Sequence, residues 1–103
     1  MPSIDSLQRL LAADPNDAFV LYGLAQEYAR LGETVRAVEY YDRCIAADGS
    51  YCYAYYHKAK ALEAAGRVDE AVRTLRAGVD AAKKAQDGHA LSEMTGYLDE
   101  IAP

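Results

Sequence analysis

Residues 18–48, AFVLYGLAQEYARLGETVRAVEYYDRCIAAD, decide the fold, because their pattern returns 34 residues later in residues 54–82. At that single offset Gly32 meets Gly66, Ala25 meets Ala59 and Ala37 meets Ala71, while Leu21 meets Tyr55, Tyr28 meets Leu62 and Tyr41 meets Leu75. A period of this length, with small and large apolar residues at fixed places in two helical segments, marks stacked helix pairs. One such pair cannot bury its apolar face alone, so each is stabilised by its neighbours.

Within the stretch, Leu21, Leu24-Ala25, Tyr28, Ala37 and Tyr41 match the order of large, small and aromatic residues in the tetratricopeptide repeat family, which the chain resembles. The second copy matches more loosely through Tyr55, Lys58-Ala59, Leu62, Ala71 and Leu75. The resemblance implies an all-α fold, an α-α superhelix of the tetratricopeptide solenoid type with six antiparallel helices. It also implies one domain over residues 1–103: a helix at 3–14, repeat units at 18–51 and 52–86, and a capping helix at 88–102. The family's usual Pro between units is replaced by Gly49.

Working outward, Ile4, Leu7, Leu10 and Leu11 recur at helical spacing, with Ser3 as N-cap and Asp14-Pro15 as the stop. Asn16-Asp17 caps the helix that follows, its core stripe being Leu21, Leu24, Ala25 and Tyr28, and Gly32 ends it. In the helix after that, Val38, Tyr41 and Ile45 face inward, Ala37 and Cys44 allow close approach, and Glu39 and Arg43 form an exposed pair. Gly49 is expected to make a left-handed turn and Ser50 to cap the next helix, which Gly66 closes. Asp69 and Glu70 favour the start of the next helix, Val72, Leu75 and Val79 face inward, and Lys83, Lys84, Asp87 and Gly88 mark its end. The last helix sets Leu91, Met94, Leu98 and Ile101 against Ser92, Glu93, Asp99 and Glu100.

The first helix of each unit carries a second stripe, rotated away from the core set. Phe19, Tyr22, Gly23, Gln26 and Arg30 form it in the first unit, and Tyr53, Tyr56, His57 and Lys60 in the second. By the resemblance these helices line a concave groove in which partner segments dock, and aromatics with a polar tip suit that task. The expected partner-binding residues are Phe19, Tyr22, Gln26, Arg30, Tyr53, Tyr56, His57 and Lys60. The bland alternative has Phe19, Tyr22 and Tyr56 packing on neighbouring helices with only their edges in water. Arg30 and Lys60, flanked by His57 and His89, would make the groove less acidic than the chain and suit an acidic peptide or a terminal carboxylate; Glu63 and Glu93 oppose this. Some family members hold a C-terminal carboxylate with a clamp of Lys, Asn and Arg residues. Its places here are taken by Tyr22, Gln26 and His57, so that mechanism is absent.

Composition excludes several other classes. With 103 residues, 51% of them hydrophobic and 26% charged, the chain matches one ordinary globular domain. A net charge of -5 argues against nucleic acid as partner, including a pentatricopeptide-like RNA reader, because such binding rests on Lys and Arg neutralising phosphates. The start MPSIDS lacks the charged and apolar run of a leader, and no membrane span is visible, so a cytoplasmic protein without membrane contact is expected. Cys44 and Cys52 stand at neither a zinc nor a redox spacing, and reduced thiols are expected. His57 and His89 join no metal-binding or nucleophilic pattern, and no phosphate loop is present, so neither an enzyme nor a cofactor or metal site is expected. The expected function is a non-catalytic protein–protein interaction module that binds a peptide segment. Gln26, Arg30 and Lys60 would fix its polar groups. The competing reading is a self-associating structural module, a homo-oligomer built through its tyrosines.

Overall fold

A computed structural model describes residues 3–103; Met1 and Pro2, and with them the start of the expected leader-free segment, lie outside it. The described residues form six α-helices and no strand: α1 (Ile4–Ala13), α2 (Ala18–Arg30), α3 (Thr34–Ala47), α4 (Cys52–Ala64), α5 (Val68–Ala85) and α6 (Gly88–Ile101). Short connections force consecutive helices to run antiparallel. α2 packs on α3 and α4 on α5, α3 packs on α4, and α1 and α6 cover the two ends. α2 also touches α4, and α4 touches α6, so these three helices share one face.

The helix ends follow from local chemistry. Ser3, Asp17 and Asp87 each accept a backbone N–H with their side chains, at Ser6, Val20 and Ala90, and so satisfy donors that a helix start leaves free. α2 and α4 end alike, with Gly32 at φ 77° and Gly66 at φ 79°. There the Glu33 amide donates to the Tyr28 carbonyl at 2.9 Å and the Arg67 amide to the Leu62 carbonyl at 2.9 Å, the bond that closes a helix through a left-handed residue.

Two boundaries depart from expectation. Gly49 is not left-handed, and Ser50 caps nothing: its hydroxyl donates to Asp48 Oδ1 at 2.7 Å, so α4 starts at Cys52 without a side-chain cap. Asp48 shapes that turn itself, also accepting the Ser50 amide at 3.0 Å, and these bonds hold its carboxyl below the usual range. At the end of α5 the left-handed residue is Gln86, at φ 56°, rather than Gly88, which opens α6.

The core falls into two clusters. Leu7, Leu11, Leu21, Leu24, Tyr28 and Tyr41 anchor the first, and Leu62, Leu75, Met94 and Tyr97 anchor the second. Leu21, Leu24 and Leu75 are wholly buried, each contributing roughly 1.5–3 kcal/mol relative to exposure. Of the four apolar residues that recur along α1, Leu7 and Leu11 are buried and Leu10 is 56% exposed. Arg43 does not pair with Glu39. Its guanidinium lies 5.2 Å from the Tyr40 ring centroid and reaches the Pro15 carbonyl at 3.4 Å.

Candidate partner-binding surface

The face shared by α2, α4 and α6 is built from aromatic rings. Helical spacing puts Tyr53, Tyr56 and His57 of α4 on one side of that helix, and the stack brings Tyr22 of α2 and Tyr97 of α6 to either flank. Ring centroids lie 6.2 Å apart for Tyr22 and Tyr41, 5.0 Å for Tyr22 and Tyr51, and 5.9 Å for Tyr22 and His57. The run continues through Tyr56 and His57 at 5.2 Å and Tyr56 and Tyr97 at 5.5 Å, with Tyr53 6.4 Å from Tyr56. Most of these contacts are tilted or edge-to-face, as the ring quadrupole favours.

Of the expected binding residues, Tyr22, Tyr53, Tyr56 and His57 are brought together in this run, all half-buried. Gln26 is beside them on α2, its side-chain carbonyl accepting the hydroxyl of the buried Tyr41. Lys60 is exposed, with Nζ 5.3 Å from the Tyr56 centroid and 5.1 Å from that of Tyr97. Phe19 stands apart from the ring contacts and is 74% exposed at the start of α2. Arg30 is not free for a ligand: its guanidinium donates to Glu27 Oε2 at 2.9 and 3.1 Å, and Glu27 is buried.

This alters the expected electrostatics. Burial beneath the rings, with Lys60 nearby, lowers the His57 pKa and holds the imidazole neutral, so it adds no positive charge. His89 pairs with Glu93 and is directed at that carboxylate. Lys60 is then the one cation of the expected set without a carboxylate partner among the described residues. Carboxylates meanwhile reach the ring hydroxyls. Tyr97 donates to Glu63 Oε1 at 2.5 Å, and Tyr53 donates to Glu93 Oε1 at 3.4 Å. Burial raises the Tyr22 pKa to about 12, and burial with the Glu63 bond pushes that of Tyr97 up as well.

Two members of the run, Tyr51 and Tyr97, were not among the residues expected from sequence. Tyr97 had a signal, since it lies three residues after Met94 and four before Ile101, on their buried side. Among the described residues no group of His, Cys, Asp or Glu is placed to hold a metal ion, and no helix is long and apolar enough to cross a membrane. Cys44 and Cys52 are free and buried.

A family profile described as tetratricopeptide repeat matches residues 28–94. A TPR repeat-containing protein of Pseudomonas aeruginosa is 31% identical over 98 residues, which is 95% of this chain and 93% of that protein. The solution structure of a tetratricopeptide repeat domain protein from Salinibacter ruber superposes with a TM-score of 0.78 at 30% identity, over 86% of this chain and 90% of that one. The TPR2B domain of yeast Sti1, in its pHsp70 complex, superposes with a TM-score of 0.87 over 96% of this chain and 79% of that one; at 21% identity this is a likeness of fold.

Proposed function

The chain belongs to the tetratricopeptide repeat family, and from that premise we propose that it is a non-catalytic protein–protein interaction module binding a peptide segment of its partner. The binding site in this reading is the groove that α2, α4 and α6 share. One observation carries it: the run of rings from the half-buried Tyr22, His57 and Tyr56 to the buried Tyr97, crossing three helices in succession. Rings of this kind bury large area at low entropic cost while their polar tips stay available for hydrogen bonds. The yeast Sti1 domain, on the same fold, is seen in complex with pHsp70, which supports a protein-interaction role.

In this reading Tyr22, Tyr53, Tyr56 and His57 take the partner's apolar side chains, and the Gln26 amide orients its backbone. Phe19 extends the contact at the α2 end. Arg30 holds Glu27 and contributes through the shape of α2. A short arc offers few pockets, so affinity for one peptide is on the order of micromolar. The two free thiols suit a reducing cytoplasmic setting.

The test is capture from a lysate of the source cells by wild type beside a Tyr53→Ala, Tyr56→Ala variant, after circular dichroism shows both folded. Partners held by wild type and lost by the variant support the groove; identical partners on both overturn it. The exposed Phe19 favours a second reading, self-association. A mass that rises with concentration in solution, and stays constant in Phe19→Ser, is its signature.

A further inference from the structure

Resting on the groove reading, we propose that the partner segment lays a cationic side chain, arginine or lysine, over the adjoining rings of Tyr56 and Tyr97, displacing Lys60 from that seat. The seat is already shaped for a cation. Lys60 Nζ lies over both rings, at 5.3 and 5.1 Å from their centroids, where the negative face of each ring attracts positive charge. The hydroxyl of Tyr97 donates to Glu63, and that of neighbouring Tyr53 to Glu93, so a carboxylate stands on each side of the ring cluster.

The charges of the face point the same way. Of the three cations on α2, α4 and α6, Arg30 is bound by Glu27 and Lys58 by Asp42 of α3, which leaves Lys60 alone beside Glu63 and Glu93. His57 is neutral, and His89 meets Glu93 at the oxygen that also accepts Tyr53, so Glu63 and Glu93 each keep Oε2 outside these bonds. A basic segment complements this face and an acidic tail does not. Lys60 is exposed on a flexible stem and is tied to no carboxylate among the described residues, so it leaves at small cost. An incoming guanidinium stacks more broadly on the rings than an ammonium and can meet a carboxylate with two parallel bonds. Lys60 thus acts as a placeholder that weak or uncharged segments fail to displace.

The experiment is selection of displayed random peptides on four proteins: wild type, Lys60→Met, the double variant Glu63→Gln with Glu93→Gln, and Tyr56→Ala. Wild type is expected to enrich Arg or Lys at one fixed position. The selected peptide should bind Lys60→Met roughly threefold to tenfold more tightly and the Gln variant weaker by a similar factor. Enrichment of Asp or Glu, a weaker Lys60→Met complex, or a preference that the Gln variant retains would each overturn the inference. If binding is still lost in Tyr56→Ala under those outcomes, the groove reading survives its refinement. Peptides indifferent to Tyr56→Ala, or no enrichment on wild type, overturn both; Lys60→Met alters only an exposed side chain and keeps the test independent of folding.

Discussion

The two helix pairs, α2 with α3 and α4 with α5, are copies in sequence, yet they fill their interiors differently. Leu21 and Leu24 of the first pair are wholly buried. Their counterparts are Tyr55, half-buried with its hydroxyl on the Gly49 carbonyl at 3.4 Å, and Lys58, which pairs with Asp42 of the preceding unit at 2.6 Å. Cys44, also wholly buried, corresponds to Gly78, where an added Cβ would stand 2.5 Å from Met94 Sδ and 2.7 Å from Tyr55 Cβ. The larger ring of Tyr55 is thus accommodated by the smallest residue opposite it. A repeat preserves the sum of volumes at a contact rather than the residue at each place, which is why close packing survives a loose match.

The sharpest way to break this comparison is truncation at matched positions. Leu24→Ala should cost about 2–5 kcal/mol in chemical denaturation, as a cavity in a filled core does. Lys58→Ala, at the corresponding place, should cost about 0–1 kcal/mol, since it removes a partly exposed ion pair. Equal losses would mean that the two pairs are packed alike. Next, Gly78→Ala should destabilise by about 1–3 kcal/mol through overpacking, whereas Cys44→Gly tests the same exchange in the first pair. If Tyr55 is what fills the space, Gly78→Ala should cost less in a Tyr55→Leu background, and a double-mutant cycle reads that coupling directly.

Protonation separates the pairs by smaller amounts. Tyr22 ionises at about 12 in the folded state against about 10 when unfolded, so its stabilisation is complete below pH about 10 and fades as pH rises through 12. Absorbance of tyrosinate should therefore rise together with loss of helix in an alkaline titration. A separate early ionisation step for Tyr22, removed by Tyr22→Phe, would contradict its burial. At the place where the first pair has Gly23, the second has His57, whose folded pKa lies below the unfolded value of about 6.5. The unfolded chain gains that proton first, so stability should fall as pH drops below about 6.5 and level off beneath the folded pKa. His57→Gln should flatten this part of the melting-temperature profile.

Sequence made the helix count, the pairing and the clustering of Tyr22, Tyr53, Tyr56 and His57 legible because those features are carried by side chains whose spacing repeats. The turn at residues 48–51 was not legible: Asp48 takes the Ser50 hydroxyl and amide, and a polar residue bonding to its near neighbours competes with the cap that the pattern suggested. Gln86 likewise holds the left-handed position at the end of α5, where the local pattern pointed to Gly88 as the C-cap. In the groove, the charge of each residue was visible and its engagement was not. Arg30 looked available until Glu27, one turn earlier, proved to be its partner, and His57 looked cationic until the surrounding rings withdrew it from water. Tyr97 lay outside the repeat's register and so outside the stripe that the first helices define.

The placement of the cysteines gives the molecule two clocks. Cys44 belongs to the first core cluster and Cys52 to the second, both are free, and burial raises both thiol pKa values, that of Cys44 to about 11. Neither sulfur meets a labelling reagent until the surrounding helices part, so each modification rate records the lifetime of one half's closed state. Synchronous labelling would mean that the array breathes as a unit; earlier labelling of Cys52 would show the second core cluster opening while the first stays shut.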